Sequence, residues 1–174
     1  MNGPSFVYVT YIDTTPERLW AALTSPKTTR LYWGGWSLQS PWKIGAPVRL
    51  VMESAEDPEG APTEQGSVCV GIEGEVLEFE PAKRLSYSWH VQLVEGMRRE
   101  PPSKVLFELQ PVGQTVKLTL THDEFAPGGQ TVEGIRSGWP VILSSLKTYL
   151  ERGSVLDITA PERDDAASDW RNSM

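Results

Sequence analysis

Apolar and polar residues alternate through much of the chain, which is the period of half-buried β-strands. A first strand is predicted at Phe6–Ile12, where β-branched and aromatic residues dominate. In a later segment Leu85, Tyr87 and Trp89 fall on one face, with polar residues on the other. Strands are predicted near 48–53, 67–79, 84–93, 104–110 and 115–125. The pattern therefore predicts an antiparallel meander with one face covered and one face wet.

Helical spacing follows the first strand and returns near the end of the chain. The run Asp13-Thr14-Thr15-Pro16 combines a capping residue with proline at the first helical position, and a short second helix is predicted at 27–31. From 132 to 152 apolar residues recur at steps of three and four, until Gly153 ends the pattern. The long helix is expected to cover the apolar face of the sheet.

Composition narrows the classes of protein. The 174 residues are 39% hydrophobic and 22% charged, which suits one globular domain at 1–153. The segment 154–174 is acidic and loses periodicity, so a flexible tail is expected there. A net charge of −7 without any basic run argues against nucleic-acid binding. No leader or long apolar segment is evident, so no membrane span and a cytoplasmic location are expected.

An aromatic cluster stands out between Arg30 and Trp42 (RLYWGGWSLQSPW), which contains three of the chain's seven tryptophans. The Gly34-Gly35 pair and a proline interrupt it, so a long regular element does not explain it. Each buried tryptophan or tyrosine removes roughly 150–250 Å² from water. The cluster therefore either fills the core or lines a cavity.

Several short motifs resemble one protein family. They are TPERLW at 15–20, ALTSP at 22–26, GEVLEFEP at 74–81, RLSYSW at 84–89, VKLTLTH at 116–122 and the pair Gly138-Trp139. Over roughly 7–152 the sequence resembles homologues of the heat-shock-protein-90 ATPase activator, within the START-like superfamily. That resemblance implies an α+β helix-grip fold, in which a curved antiparallel sheet wraps around a long C-terminal helix. Ile44-Gly45-Ala46-Pro47 departs from the family's usual Gly-Gly-Arg or Gly-Gly-Lys turn, so ligand specificity is not transferred.

The same resemblance implies an apolar cavity between the sheet and the C-terminal helix. Its expected rim or lid is Tyr32, Trp33, Trp36 and Trp42, and its expected walls are Met52, Tyr87, Trp89, Phe107, Leu118, Trp139 and Leu143. Such a site has aromatic and apolar walls with few polar groups. The alternative interpretation is that these side chains simply fill the core.

Catalytic patterns are sparse. His122, expected to point inward at a strand end, is the one plausible acid or base, whereas His90 falls on the wet face. The two histidines and Cys69 fit no zinc spacing, and no glycine-rich phosphate loop follows a strand. No metal and no cofactor are therefore expected.

Three hypotheses about function follow from these observations. The first is non-catalytic binding of a small hydrophobic or aromatic molecule. The second is regulation of a chaperone ATPase, which an exposed apolar patch outside the cavity would favour. The third is a cyclase-like or hydrolase-like enzyme, which His122 facing a carboxylate inside the cavity would favour. The sequence leaves both a monomer and a homodimer open.

Overall fold

The computed structural model of the protein describes residues 3–56 and 62–158. Within these residues the elements are β1 (Phe6–Ile12), α1 (Pro16–Thr24), α2 (Pro26–Tyr32), β2 (Ser37–Gln39), β3 (Pro47–Glu56), β4 (Pro62–Glu80), β5 (Arg84–Val91), α3 (Glu95–Arg98), β6 (Ser103–Val112), β7 (Thr115–Asp123) and α4 (Thr131–Arg152). Seven strands form one sheet in the order β1-β7-β6-β5-β4-β3-β2. Every strand pairing in it is antiparallel.

Two irregularities lie along β4, which runs for 19 residues. A β-carbon at Gly74 would lie 1.9 Å from the carbonyl oxygen of Ser88 on β5, so only glycine allows this approach of the two strands. Between Val76 and Glu78 the register with β5 shifts by one residue. Such a bulge increases the local twist. Glycine and bulge together curl the sheet towards α4.

Helix α4 is fixed at its N-terminus from outside the helix. The backbone N–H groups of Gln130 and Thr131 donate to the carboxylate of Glu100, at 2.6 and 3.3 Å. The N-cap residue itself makes no side-chain capping bond. A carboxylate there satisfies free N–H groups and complements the helix dipole. The helix continues through Pro140 and ends before Gly153.

The core lies between α4 and the concave face of the sheet. On β7, Val116, Leu118, Leu120 and His122 are all buried, and the residues between them are half-buried. On the outer face of the edge strand β1, Val7, Val9 and Tyr11 are exposed. The prediction of one covered and one wet face is therefore confirmed.

The helix-grip architecture and the two short helices after the first strand are confirmed. Several local features differ from the prediction. The short elements β2 and α3 were not predicted, and β5 ends at Val91 rather than at residue 93. Strands β3 and β4 also extend past the predicted bounds at residues 53 and 67, and 57–61 lie outside the described residues. Most of the predicted tail likewise lies outside them, beyond residue 158.

Candidate functional site

Two adjoining chambers lie between α4 and the concave face of the sheet. The first chamber has a volume of ≈ 10 Å³, and its walls include Tyr32, Trp33, Tyr87, Phe107, Trp139 and Leu143. The second chamber is too narrow for a water molecule, and Trp33, Trp89 and Trp139 meet residues of α4 there. A cavity needs about 10–15 Å³ to hold one water molecule. Both chambers are thus closed around their aromatic walls.

Three tryptophans pack together where the chambers meet, and two of them, Trp33 and Trp139, form the partition. The ring centroids of Trp33 and Trp139 lie 5.3 Å apart at an interplanar angle of 86°, an edge-to-face contact. The centroids of Trp89 and Trp139 are also 5.3 Å apart, and those of Trp33 and Trp89 are 6.0 Å apart. Trp33 and Trp139 line both chambers. A movement of the Trp33 ring would therefore join the two spaces.

His122 holds Trp139 in place through a buried chain of hydrogen bonds. The indole N–H of Trp139 donates to His122 Nδ1 at 3.0 Å. Because that nitrogen accepts, the proton of the neutral ring is on Nε2, which donates to Ser103 Oγ at 2.8 Å. The Ser103 hydroxyl then donates to the carbonyl oxygen of Trp89 at 3.3 Å. Burial lowers the pKa of His122 to about 3, which keeps the imidazole neutral.

This arrangement gives no support to the interpretation of His122 as a general acid or base. Both ring nitrogens already have partners, and neither partner is a carboxylate. Two acidic residues of β4 lie elsewhere, since Glu73 pairs with Arg49 and Glu78 with Arg84 at partly exposed positions. His122 is instead a positioning residue for Trp139.

Two polar atoms of the aromatic walls have no hydrogen-bond partner among the described residues. They are the Tyr87 hydroxyl and Trp89 Nε1, and both are buried. Burial raises the pKa of Tyr87, and the nearby Tyr32 raises it further, so the hydroxyl stays protonated. Tyr32, by contrast, donates to the carbonyl oxygen of Ala22 at 3.1 Å. A third such atom, Thr14 Oγ1, lines neither chamber.

The remaining predicted wall and rim residues lie outside the chambers. Trp36 packs over Gly71, where a β-carbon would be 2.9 Å from its ring. The Trp42 indole donates to Thr24 O at 2.8 Å, and its ring stacks on Phe79. Trp36, Trp42, Met52 and Leu118 do not line either chamber. Tyr32 and Trp33, predicted at the rim, are 1% and 3% exposed and are therefore interior residues.

Sequence reasoning also missed part of the site. Leu38 lines the first chamber from β2, a strand too short to show a period. Ile135 and Ile142 line the second chamber, and their place in the apolar stripe of α4 was visible in the sequence. Ser103 had no signal, because its role depends on pairing between β5 and β6.

A larger concavity, of ≈ 930 Å³, lies on the surface beside the start of α1 and two hairpins. Its walls are mixed in charge, and Arg84 there pairs with Glu78 and Glu108.

Among the described residues, no group of His, Cys, Asp and Glu side chains is placed to hold a metal ion. Nor does any described helix combine the length and apolarity that crossing a bilayer requires. Cys69 is exposed on β4.

A curved antiparallel sheet around a long C-terminal helix, with an aromatic interior, defines a START-like protein of the helix-grip class. The family model described as "Activator of Hsp90 ATPase homolog 1-like protein" matches residues 13–151. The chain belongs to this family. No curated protein matches the sequence.

Solved structures share the fold. A Mesorhizobium loti protein is 25% identical, with a TM-score of 0.66 over 87% of this chain and 100% of that one. The Aha1 dimer from Colwellia psychrerythraea is 18% identical, with a TM-score of 0.63 over 87% of this chain and 98% of that one. An HSP90 activator from Plasmodium falciparum is 24% identical, with a TM-score of 0.57 over 79% and 88%. At these identities the last two likenesses concern the fold alone.

Proposed function

We propose that the protein binds a small hydrophobic or aromatic molecule between α4 and the concave face of the sheet. The observation that carries this proposal is the pair of aromatic-walled chambers divided by Trp33 and Trp139. Concave apolar sites with a few polar groups are the usual form of small-molecule sites. Catalysis is not part of the proposal, since His122 is neutral and fully engaged.

Binding requires the chambers to open. Ligand pockets commonly measure about 300–1,000 Å³, far above the ≈ 10 Å³ of the closed first chamber. Trp33 caps the C-terminus of α2 and is followed by Gly34 and Gly35, with φ values of 62° and 99°. Glycine visits many backbone conformations that other residues do not. We infer that this pair is the hinge on which Trp33 leaves the partition.

Tryptophan fluorescence tests the proposal. Long-chain acids and polycyclic aromatic molecules are titrated into the protein, and native mass spectrometry of fresh preparations looks for a retained molecule. Trp33→Phe should reduce the fluorescence response and the affinity, because this ring borders both chambers. Trp20→Phe is the matched control, since Trp20 packs on Phe79 outside the chambers. Absence of any response across the panel, with no retained molecule, returns these residues to a purely structural role.

Regulation of a chaperone ATPase is the second candidate, and one surface feature favours it. Val7, Val9 and Tyr11 on the outer face of β1 are 57%, 46% and 52% exposed. We call them the β1 row. An apolar row outside the interior suits a protein contact. The description of the matching family supports the same candidate.

An ATPase assay with the chaperone of the same organism separates the two candidates. We expect no rise in its rate. A severalfold, salt-sensitive rise in the ATPase rate that Val9→Lys abolishes would favour chaperone regulation over ligand binding. Val112→Lys is the control, because Val112 is 43% exposed at the end of β6, away from the β1 row. Sedimentation of the same variants distinguishes a chaperone contact from self-association, since the Colwellia psychrerythraea relative is a dimer.

A further inference from the structure

Among the described residues, three buried side-chain polar atoms have no hydrogen-bond partner, and two of them belong to residues of the chamber walls. Trp139, His122, Ser103 and Tyr32 all have hydrogen-bond partners. Within the described residues, the Tyr87 hydroxyl and Trp89 Nε1 have none. Buried polar groups are almost always hydrogen-bonded, and an unpaired one is destabilising. Their coincidence with the chamber walls suggests a role that the closed protein does not fulfil.

The two unpaired groups are neighbours on one face of β5. Tyr87 and Trp89 are two residues apart, so both point to the concave side of the sheet. Their ring centroids are 6.5 Å apart, with an interplanar angle of 25°. An indole N–H is only a donor, and the protonated phenol of Tyr87 is also able to donate. The walls thus offer two donors from one strand, with Tyr87 lining the first chamber and Trp89 lining the second.

The absence of charged side chains among the described residues of the chamber walls limits which hydrogen-bond acceptors a ligand can bring to those donors. Neither chamber is lined by a lysine, arginine, aspartate or glutamate. An ionised carboxylate placed there would lose its hydration without gaining a cation. A neutral oxygen acceptor, by contrast, carries a smaller desolvation penalty and satisfies donors on both of its lone pairs.

We infer that the ligand is an uncharged aromatic molecule that occupies the space joined when Trp33 moves, with a carbonyl oxygen that accepts hydrogen bonds from Trp89 Nε1 and the Tyr87 hydroxyl. This inference rests on the proposed function and names its ligand class. The aromatic rings of the partition supply the stacking surfaces, and the paired donors orient the molecule across β5. Simple hydrocarbons and fatty acids are accordingly poor ligands.

Three matched probes test the inference. Fluorenone carries a ketone on a flat tricyclic skeleton, fluorene replaces the ketone with a methylene group, and fluorenone-4-carboxylate adds a negative charge. We expect fluorenone to bind about tenfold more tightly than fluorene, the effect of roughly one net hydrogen bond. The carboxylate should bind more weakly than fluorenone. On binding of fluorenone, the indole N–H resonance of Trp89, assigned by its loss in Trp89→Phe, should move downfield.

Variants separate a binding role from a structural one. Tyr87→Phe should lower the affinity for fluorenone but leave that for fluorene unchanged, while Tyr149→Phe, outside the chambers, changes neither. Because Tyr87→Phe removes an unpaired buried group, its unfolding midpoint in urea should equal or exceed that of the unaltered protein. A lower midpoint overturns the inference, since it would mean that the hydroxyl already has a partner.

The outcomes also distinguish the inference from the proposal beneath it. Equal affinities for fluorenone and fluorene overturn the carbonyl inference and leave hydrophobic binding standing. The carbonyl inference is also overturned, with hydrophobic binding left standing, if Tyr87→Phe does not change the affinity for fluorenone and fluorenone does not move the Trp89 resonance. If none of the three probes and no molecule of the wider panel binds, both the inference and the proposed function fail.

Discussion

At the scale of single residues, Trp139 both packs in the core and donates a buried hydrogen bond. Its ring is 3% exposed, contacts Trp33, Trp89 and Phe107, and donates to His122. Trp139→Ala should therefore lower the free energy of unfolding by about 3–5 kcal/mol, the usual effect of deleting a large buried aromatic. Urea denaturation measures this change. A loss below about 2 kcal/mol would instead indicate a ring that borders open space.

His122 makes stability depend on pH. Its pKa is about 3 in the folded protein against an ordinary value of 6.5, so only the unfolded chain takes up the proton between these values. The stabilising contribution is complete above pH 6.5 and declines as the pH falls towards 3, by up to about 1.4 kcal/mol per pH unit.

We therefore expect urea melts of the unaltered protein to lose stability with acid faster than those of His122→Gln, a variant that cannot take up this proton. The comparison removes the contribution of carboxylates, which titrate in both proteins. Proton NMR of the ring in a His90→Gln background gives the pKa directly. Parallel pH profiles, or a ring that titrates near its ordinary value, would contradict the expectation.

At the scale of elements, the start of α4 depends on a residue thirty positions away in the chain, Glu100. Glu100→Ala should lower the free energy of unfolding by about 1–2 kcal/mol. Two backbone N–H groups lose their acceptor, and the positive end of the helix dipole loses a nearby negative charge. Glu95→Ala is the control: Glu95 only pairs with Arg99 at an exposed position, worth less than about 1 kcal/mol. Equal losses in urea denaturation would show that Glu100 is not the cap.

The elements that the sequence predicts well are those whose burial has a period. Alternation identified β5 and β7, and the stripe of α4 identified the helix almost to its ends. Strand β2 has three residues and forms by pairing with β3, so no local pattern in the sequence predicts it. Extension of the β3–β4 hairpin likewise depends on cross-strand hydrogen bonds, which outweigh the loop-like composition near Pro62.

At the scale of the whole molecule, the walls of the site were predictable only as a set of apolar side chains. Inward-facing positions such as Tyr87, Trp89 and Phe107 follow from alternation. Whether those rings leave a void depends on how the sheet curls against α4, which no pattern encodes. The unpaired donors emerge only from three-dimensional contacts, since the sequence treats Tyr87 and Trp89 like any other aromatic residues.

The closed interior also has a kinetic consequence for the whole molecule. Under the proposed function, a ligand reaches the chambers only after Trp33 moves, so the observed rate of binding should rise with ligand concentration and then level off at the rate of opening. Stopped-flow tryptophan fluorescence with fluorenone measures this curve. Gly34→Ala should raise the plateau, because a side chain at φ of +62° is strained and would press on Ile158, 3.2 Å away, which destabilises the closed state from which opening starts. Gly113→Ala, with similar strain but open space around it, should leave the plateau unchanged. A rate that rises linearly to the highest concentration would mean that the site is already open.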